Sequence, residues 1–406
     1  MLHDWYSNRI SCRIHNNILN PKLYYDNQQS VIIKKRSIQK MVQEGVFLDN
    51  IFQELGDFYP VQKFSILHDM ISSLDKNDTL FPKYLQLIYS IVKKYHPSQL
   101  SIKNCNFYIE LLFDDDYCIL ASKIISEIYE QNMKMQFLLQ KFISLILTNV
   151  NIYDISSLIL VICRNYKNEY DCYLDLLLKD IAQLILHKSL DISSDGIESL
   201  FYMTQLNKLG SSLNEIIEDL INKIYICLYS EDPRTISFSL KLLTYFDVNP
   251  FLYFNILQQF LNSRIVSIEL NVLDCFKHFS YLFIESNQEE TIKKILFKAI
   301  ETEPRSVKYQ SLITLLLFDR NNNENIKIID EFMEFIDNED TGYDSLNYIY
   351  LLLQDLKRSD IKLSSYSELI SKLETNITFN DLLYSDDKRI YSIINEIISI
   401  IETQKL

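Results

Sequence analysis

Cys275 and His278 stand three residues apart. On a helix that spacing puts a thiol and an imidazole on one face and supplies half of a tetrahedral zinc site. No second half accompanies them: His3, His15, His68, His96 and His187 are scattered, and the seven cysteines include no CxxC pair. No metal is expected. Loops that cradle phosphate need glycine so that backbone N–H groups can approach the ligand. The sequence has no GxGxxG and no Walker A pattern, and it lacks the GxSxG turn of a serine nucleophile. Carboxylates cluster at Asp114, Asp115 and Asp116 and again along Glu331–Asp340. The first cluster suits a helix start, where acids complement the dipole, and calcium would require a longer loop with a glycine turn. The second reads as a solvated helix end or as an acidic docking patch. These residues predict neither an enzyme nor a cofactor.

The elements that carry these residues are constrained by composition. The 406 residues include five glycines, at positions 45, 56, 196, 210 and 342, and seven prolines. Average usage would give about 28 glycines over this length. Hairpin and tight strand–helix turns draw on glycine for positive φ, so a multi-stranded sheet is not expected. The formal charge is −14, which argues against a nucleic-acid groove lined by phosphate-neutralising cations. The charge is uneven: residues 1–50 carry seven Lys/Arg against four Asp/Glu, and residues 301–350 carry four against eleven. The cysteines lie mostly in apolar runs, as buried small hydrophobes of a reducing compartment would. With no uninterrupted apolar run of about 18 residues and no secretory h-region, no membrane insertion is expected and the compartment reads as cytoplasmic or nuclear.

From Val31 onward, apolar residues recur at steps of three and four, as in Phe64, Leu67, Ile71 and Leu74. Short polar breaks punctuate them, among them Asp75–Thr79, Asp114–Asp116 and Asn149–Asn151. The pattern predicts about twenty helices joined by short loops. Residues 1–28, which include Trp5, lack clean periodicity and read as a loosely ordered arm or cap, with residues 29–406 as one continuous array.

Three segments superpose in sequence: Cys227–Phe246, Phe260–Phe279 and Lys298–Phe318. Each is a helix end, a polar break, an arginine and a second helix. Apolar residues follow the arginine by two and four places, as Ile236 and Phe238, Val266 and Ile268, and Val307 and Tyr309. Two of the breaks hold an acid before proline, Asp232-Pro233 and Glu303-Pro304, which suits a helix start. Arg234, Arg264 and Arg305 are 30 and 41 residues apart, bracketing the units of helical repeat arrays. The segment Gly45–Ile71 resembles one armadillo unit through Gly45, Ile51, Val61 and Gln62, although Leu48 and Asn50 depart from the usual proline and leucine. Ser385–Ile401 resembles the last helix of another. The resemblance implies an all-α, armadillo/HEAT-like right-handed α-solenoid of about nine two- to three-helix repeats.

Such arrays hold proteins, so the resemblance implies an interaction scaffold or adaptor that binds a protein or extended peptide. A nuclear-transport adaptor resembling importin α is the alternative, suggested by Lys34-Lys35-Arg36, as is a regulatory subunit of a larger complex. Against importin α, Trp5 is the sole tryptophan, which leaves no Trp–Asn ladder to carry over. In armadillo arrays the final helix of each unit lines the concave side. Positions three, seven and ten beyond each arginine share a face. The candidate partner-binding residues are therefore Arg234, Ser237, Lys241, Arg264, Ser267, Asn271, Asp274, Arg305 and Lys308. From Arg305 the stripe runs into Leu312 and Leu315, and that unit is expected to be rotated or to expose an apolar pocket.

Overall fold

A computed structural model describes residues 35–44, 51, 60–95, 102–129, 132–209, 213, 216–318, 325–338, 340–358, 363–385 and 387–405. These are helical nearly throughout, with no strand among them. The chain divides into two compact units, Met1–Lys223 and Ile224–Leu406. Residues 1–34, and so the predicted arm and Trp5, lie outside the described residues, as do Gly45, Leu48 and Asn50 of the armadillo-like segment.

In the first unit, α1 (35–43) is followed by α2 (Pro60–Ile71), α3 (Phe81–Tyr95), α4 (Ile102–Leu111), α5 (Cys118–Tyr129), α6 (Met133–Asn149), α7 (Ser156–Arg164), α8 (Leu174–Leu186) and α9 (Leu190–Gln205). Successive helices pair as hairpins: α2 packs on α3, α4 on α5 and α8 on α9. The second members then stack on one another in the order α3, α5, α7, α9, while α4 packs on α6. An amphipathic hairpin leaves one apolar side uncovered, and the next hairpin covers it. The stacked helices contribute Ile88, Ile91, Ile124, Ile128, Leu158, Ile162, Ile197 and Leu200, all fully buried.

Polar ties between neighbouring hairpins fall one repeat apart. The His68 imidazole meets the Tyr108 hydroxyl at 3.1 Å, 40 residues on. Ser156 donates to Asp195 at 2.8 Å, 39 residues on. Arg164 bonds the buried carboxylate of Glu198 at 2.8 Å, 34 residues on. These bonds fix register, because a slipped hairpin would leave each buried polar group without its partner.

The second unit contains α11 (Pro233–Tyr245), α12 (Phe254–Phe260), α13 (Val266–His278), α14 (Ser280–Glu285), α15 (Glu289–Thr302), α16 (Arg305–Leu316), α17 (Asn325–Phe332), α18 (Gly342–Arg358), α19 (Leu363–Thr375), α20 (Ile377–Leu382) and α21 (Lys388–Lys405). Helix α10 (Ile217–Cys227) spans the division. Here α11 packs on α13 and α13 on α16, with α15 against α16, α17 against α18, and α18 against α21. A short 3-10 turn, Met333–Phe335, follows α17. Helix starts follow the sequence. Asp232 caps α11, accepting from the N–H groups of Arg234 and Thr235 at 3.2 and 2.9 Å, with Pro233 in the first turn. Burial alone would raise its carboxyl, but the bonds from Thr235 and the Arg234 N–H hold it below the ordinary value. At Glu303-Pro304 the helix begins one residue later than expected, with Pro304 itself as the cap.

The low glycine count is met by a substitution of chemistry. Asn207, Asp247 and Asn287 follow α9, α11 and α14 with φ of 53°, 51° and 58°. Each closes a Schellman ending, in which the next N–H reaches back five residues: Lys208 to Met203, Val248 to Leu243 and Gln288 to Phe283. Asn and Asp tolerate the left-handed region because their short side chains bond locally. Gly196 is held for a different reason. A Cβ there would lie 2.7 Å from the Ile185 backbone nitrogen and 2.9 Å from the Leu184 Cβ, where α8 and α9 cross. Gly196→Ala gains about 1 kcal/mol of helix propensity, but overpacking against backbone costs about 1–3 kcal/mol. The expected outcome is a net loss of stability, read as a lower denaturant midpoint.

Asp180 of α8 is buried, and one of its carboxylate oxygens has no hydrogen-bond partner among the described residues. Desolvation pushes its carboxyl up from 3.8 to about 6. Between those values the folded chain binds the proton more tightly than the unfolded chain, so this group's contribution falls as pH rises through about 6. Asp180→Asn is therefore expected to stabilise the protein by about 1–3 kcal/mol at pH 7.5, and to have little effect at pH 4. Urea unfolding of both proteins at the two pH values checks the sign.

Candidate partner-binding face

Helices α11, α13 and α16 carry most of the nine candidate residues, and Arg234 and Arg305 stand in the first turns of α11 and α16. Arg264 precedes α13 in a left-handed conformation, φ 62°, and its N–H donates to the Glu269 carboxylate at 2.7 Å. Arg234, Arg264, Ser267, Asp274 and Arg305 are exposed. Lys241 is half-buried, its ammonium 5.0 Å from the Phe238 ring centroid.

Two candidates are placed differently from the sequence expectation. Ser237 and Asn271 are buried, and the Asn271 amide donates to the Ser237 hydroxyl across the α11–α13 contact. A polar stripe at helical spacing marks a face that avoids the apolar core, but it does not tell solvent from a polar seam between two helices. The seam continues at Thr244 and Cys275, 2.8 Å apart, and at His278 and Asp247, 2.6 Å apart. Cys275 and His278 thus face different partners, and no group of three or more potential ligands converges among the described residues.

The third stripe turns another way. Leu312 and Leu315 are fully buried, so the phase slip rotates α16 without exposing an apolar pocket. Its two cations face the last turn of α17 and the segment after it. Arg305 bonds the Asp337 carboxylate and the Glu334 carbonyl at 2.8 Å each, and Lys308 pairs with Glu331 at 2.9 Å and with Glu334 at 2.5 Å. Burial alone would lower the Lys308 ammonium, but these two carboxylates hold it above the ordinary value.

Between α13, α16 and the start of α18 lies a cleft of about 500 Å³. Asp274 and Arg305, chosen from sequence, line it together with Leu270, Tyr309, Gln310, Phe335, Asn338, Asp340 and Thr341. None of the last seven was among the nine candidates, although Asp340 closes the Glu331–Asp340 run read as a solvated helix end or an acidic docking patch. The sequence signals near them were that acidic run and the acidic excess of residues 301–350. Beyond this cleft the chemically perturbed groups are dispersed. Burial pushes the thiols of Cys105 up to about 11 and those of Cys118, Cys163 and Cys275 up to about 12. It also lowers the His68 imidazole. Each of these groups sits inside a helix contact.

No family model matches the chain. No curated protein matches its sequence. Among solved structures, an engineered protein from a structural genomics consortium aligns over 91% of this chain and 95% of its own, with 12% identity and a TM-score of 0.52. The Kap95:Nup1 complex aligns over 95% of this chain and 50% of that chain, with 10% identity and a TM-score of 0.39. A structure of TOG domain arrays, titled for tubulin recruitment and assembly by microtubule polymerases, aligns over 87% and 95%, with 9% identity and a TM-score of 0.27. The first similarity concerns the fold alone, and the other two are too distant to support more. With the stacked hairpins described above, the chain is an all-α protein built of successive helical hairpins, and its fold resembles that of the engineered protein. Among the described residues no helix is long and apolar enough to cross a membrane.

The buried seam has a measurable consequence. Asn271→Ala leaves the Ser237 hydroxyl without its partner in the stack and is expected to cost about 1–2 kcal/mol. Ser267→Ala, one turn earlier and exposed, is expected to stay within about 0.5 kcal/mol. Denaturant unfolding of the two variants separates a structural seam from a solvated face.

Proposed function

We propose that this protein is a non-catalytic scaffold that binds a protein or extended peptide along the exposed ends of α13 and α16. The observation that supports this most is the α13–α16 cleft, which combines aromatic walls with polar groups that the stack leaves unsatisfied. The hydroxyls of Tyr309 and Thr341 are buried without a hydrogen bond of normal geometry among the described residues, and both residues line the cleft. Catalysis finds less support. Burial raises the thiols of Cys105, Cys118, Cys163 and Cys275, and these perturbed groups are not gathered around one space where a substrate could meet them.

Peptide-display selection against the full chain tests this reading. Enriched peptides are expected to slow amide exchange around Leu270–Asp274 of α13, in the first turns of α16 and in the segment from Phe335 to Thr341. Failure to enrich any sequence, or protection confined to the first unit, would sink it. Localisation in the cytoplasm or nucleus is part of the same proposal, and fluorescence imaging of the tagged full chain checks it.

A further inference from the structure

The charges around the α13–α16 cleft do not balance. Asp274, Glu331, Glu334, Asp337, Asp340 and Asp344 stand against Lys277, Arg305 and Lys308. Each cation already has an acid: Lys277 meets Asp274 at 3.2 Å, Arg305 meets Asp337 at 2.8 Å, and Lys308 meets Glu331 and Glu334. Asp340 and Asp344 have no cationic partner among the described residues. Asp344 lies close enough to Tyr309 to add to the effect of burial in raising its hydroxyl. An anionic ligand would have to displace an acid from Arg305 and accept the field of the others. A cationic ligand finds Asp340 without a cation and shares Asp274 with Lys277, which already sits 3.2 Å from it.

The walls fit the same class of ligand. Leu270, Tyr309 and Phe335 provide apolar surface, and the two rings lie 5.1 Å apart, inclined at 51°. A lysine or arginine side chain needs this combination, an apolar wall for its methylene stem and a carboxylate for its head. Arg305 already shows that the wall accepts such a group, with its guanidinium 5.3 Å from the Phe335 ring centroid. Tyr309 is 8% exposed, and its hydroxyl is influenced by Ser345 but closes no hydrogen bond of normal geometry among the described residues.

We propose that this cleft receives a lysine or arginine side chain from a basic segment of a partner protein, with Asp274 and Asp340 binding its head and Tyr309 and Phe335 flanking its stem. This deepens the peptide-binding reading and rests on it.

The test titrates the full chain with three fluorescent peptides of one uncharged framework, carrying Lys/Arg, Glu or phosphoserine at the same positions. The basic peptide is expected to bind, to weaken as salt is raised from 0.05 to about 0.5 M because the attraction is screened, and to lose at least tenfold in affinity for the Asp274→Asn, Asp340→Asn double variant. Both positions are exposed, and unfolding curves should match the parent. A single Asp340→Lys variant is expected to shift preference toward the Glu peptide. Preferential binding of the phosphorylated or Glu peptide by the parent, abolished by Arg305→Ala, would overturn the charge assignment. So would equal affinity of parent and double variant for the basic peptide. Selected peptides that lack Lys and Arg yet protect α13 and α16 would overturn this inference while leaving the scaffold reading intact, whereas failure of every peptide to bind would remove both.

Discussion

Each helical hairpin in this chain has an apolar side that its own two helices do not cover, and the residues able to cover it lie one repeat further along. In the first unit α3, α5, α7 and α9 meet that need in series, and in the second α11, α13 and α16 do so. The hydrophobic term favours stacking but says little about register, since one buried isoleucine substitutes well for another. Register comes from the polar ties, which are directional and costly to leave unmade. Arg164 with Glu198 and Asn271 with Ser237 are both 34 residues apart.

The same economy explains where charge and polarity sit. A polar group enters the seam when the neighbouring helix offers a partner, as Thr244 does for Cys275. Asp180 departs from that rule. Its carboxyl is enclosed by α8 without a described partner for one oxygen, and desolvation raises it to about 6. Natural repeat stacks tolerate such a group because each hairpin is held by several contacts, so one unfavourable site is outweighed locally.

Much of the architecture was legible because helical periodicity is a local property. The breaks at Asp75–Thr79 and Asp114–Asp116 fall between α2 and α3 and between α4 and α5. The arginine-led segments are the starts of α11, α13 and α16. Glycine scarcity was informative against sheets, but the way the helices end was hidden. Asn207, Asp247 and Asn287 take the place of C-terminal glycines, and nothing in their identity distinguishes them from ordinary surface residues until φ is known. The site was legible only in part. Asp274 and Arg305 were found by spacing along single helices, whereas Phe335, Asp340 and Thr341 reach the cleft through the packing of α16 against the segment between α17 and α18. Ser237 and Asn271 were assigned to solvent because a stripe of polar residues looks the same whether water or another helix lies beyond it.

The seam and the cleft differ in one respect that bears on function. Across the α11–α13 contact three polar pairs form, Ser237 with Asn271, Thr244 with Cys275 and Asp247 with His278, while the Ser239 hydroxyl and one Glu269 oxygen stay buried without a hydrogen bond of normal geometry among the described residues. A partner gains little at those pairs, because it would have to break a bond to make one. At the α13–α16 cleft the pairing is incomplete. Two buried hydroxyls lack bonds of normal geometry within the described residues, and the carboxylates outnumber the cations. Free energy of binding is available where the fold has left groups unmatched, since the ligand then replaces water or nothing rather than a protein contact. The phase slip at Leu312 and Leu315 produces that condition. By turning those leucines into the core it directs Arg305 and Lys308 toward the last turn of α17 and the acidic segment after it, and away from α13. The groove between the two helices is left open, and of the two acids that line it Asp274 pairs with Lys277 while Asp340 has no cationic partner among the described residues.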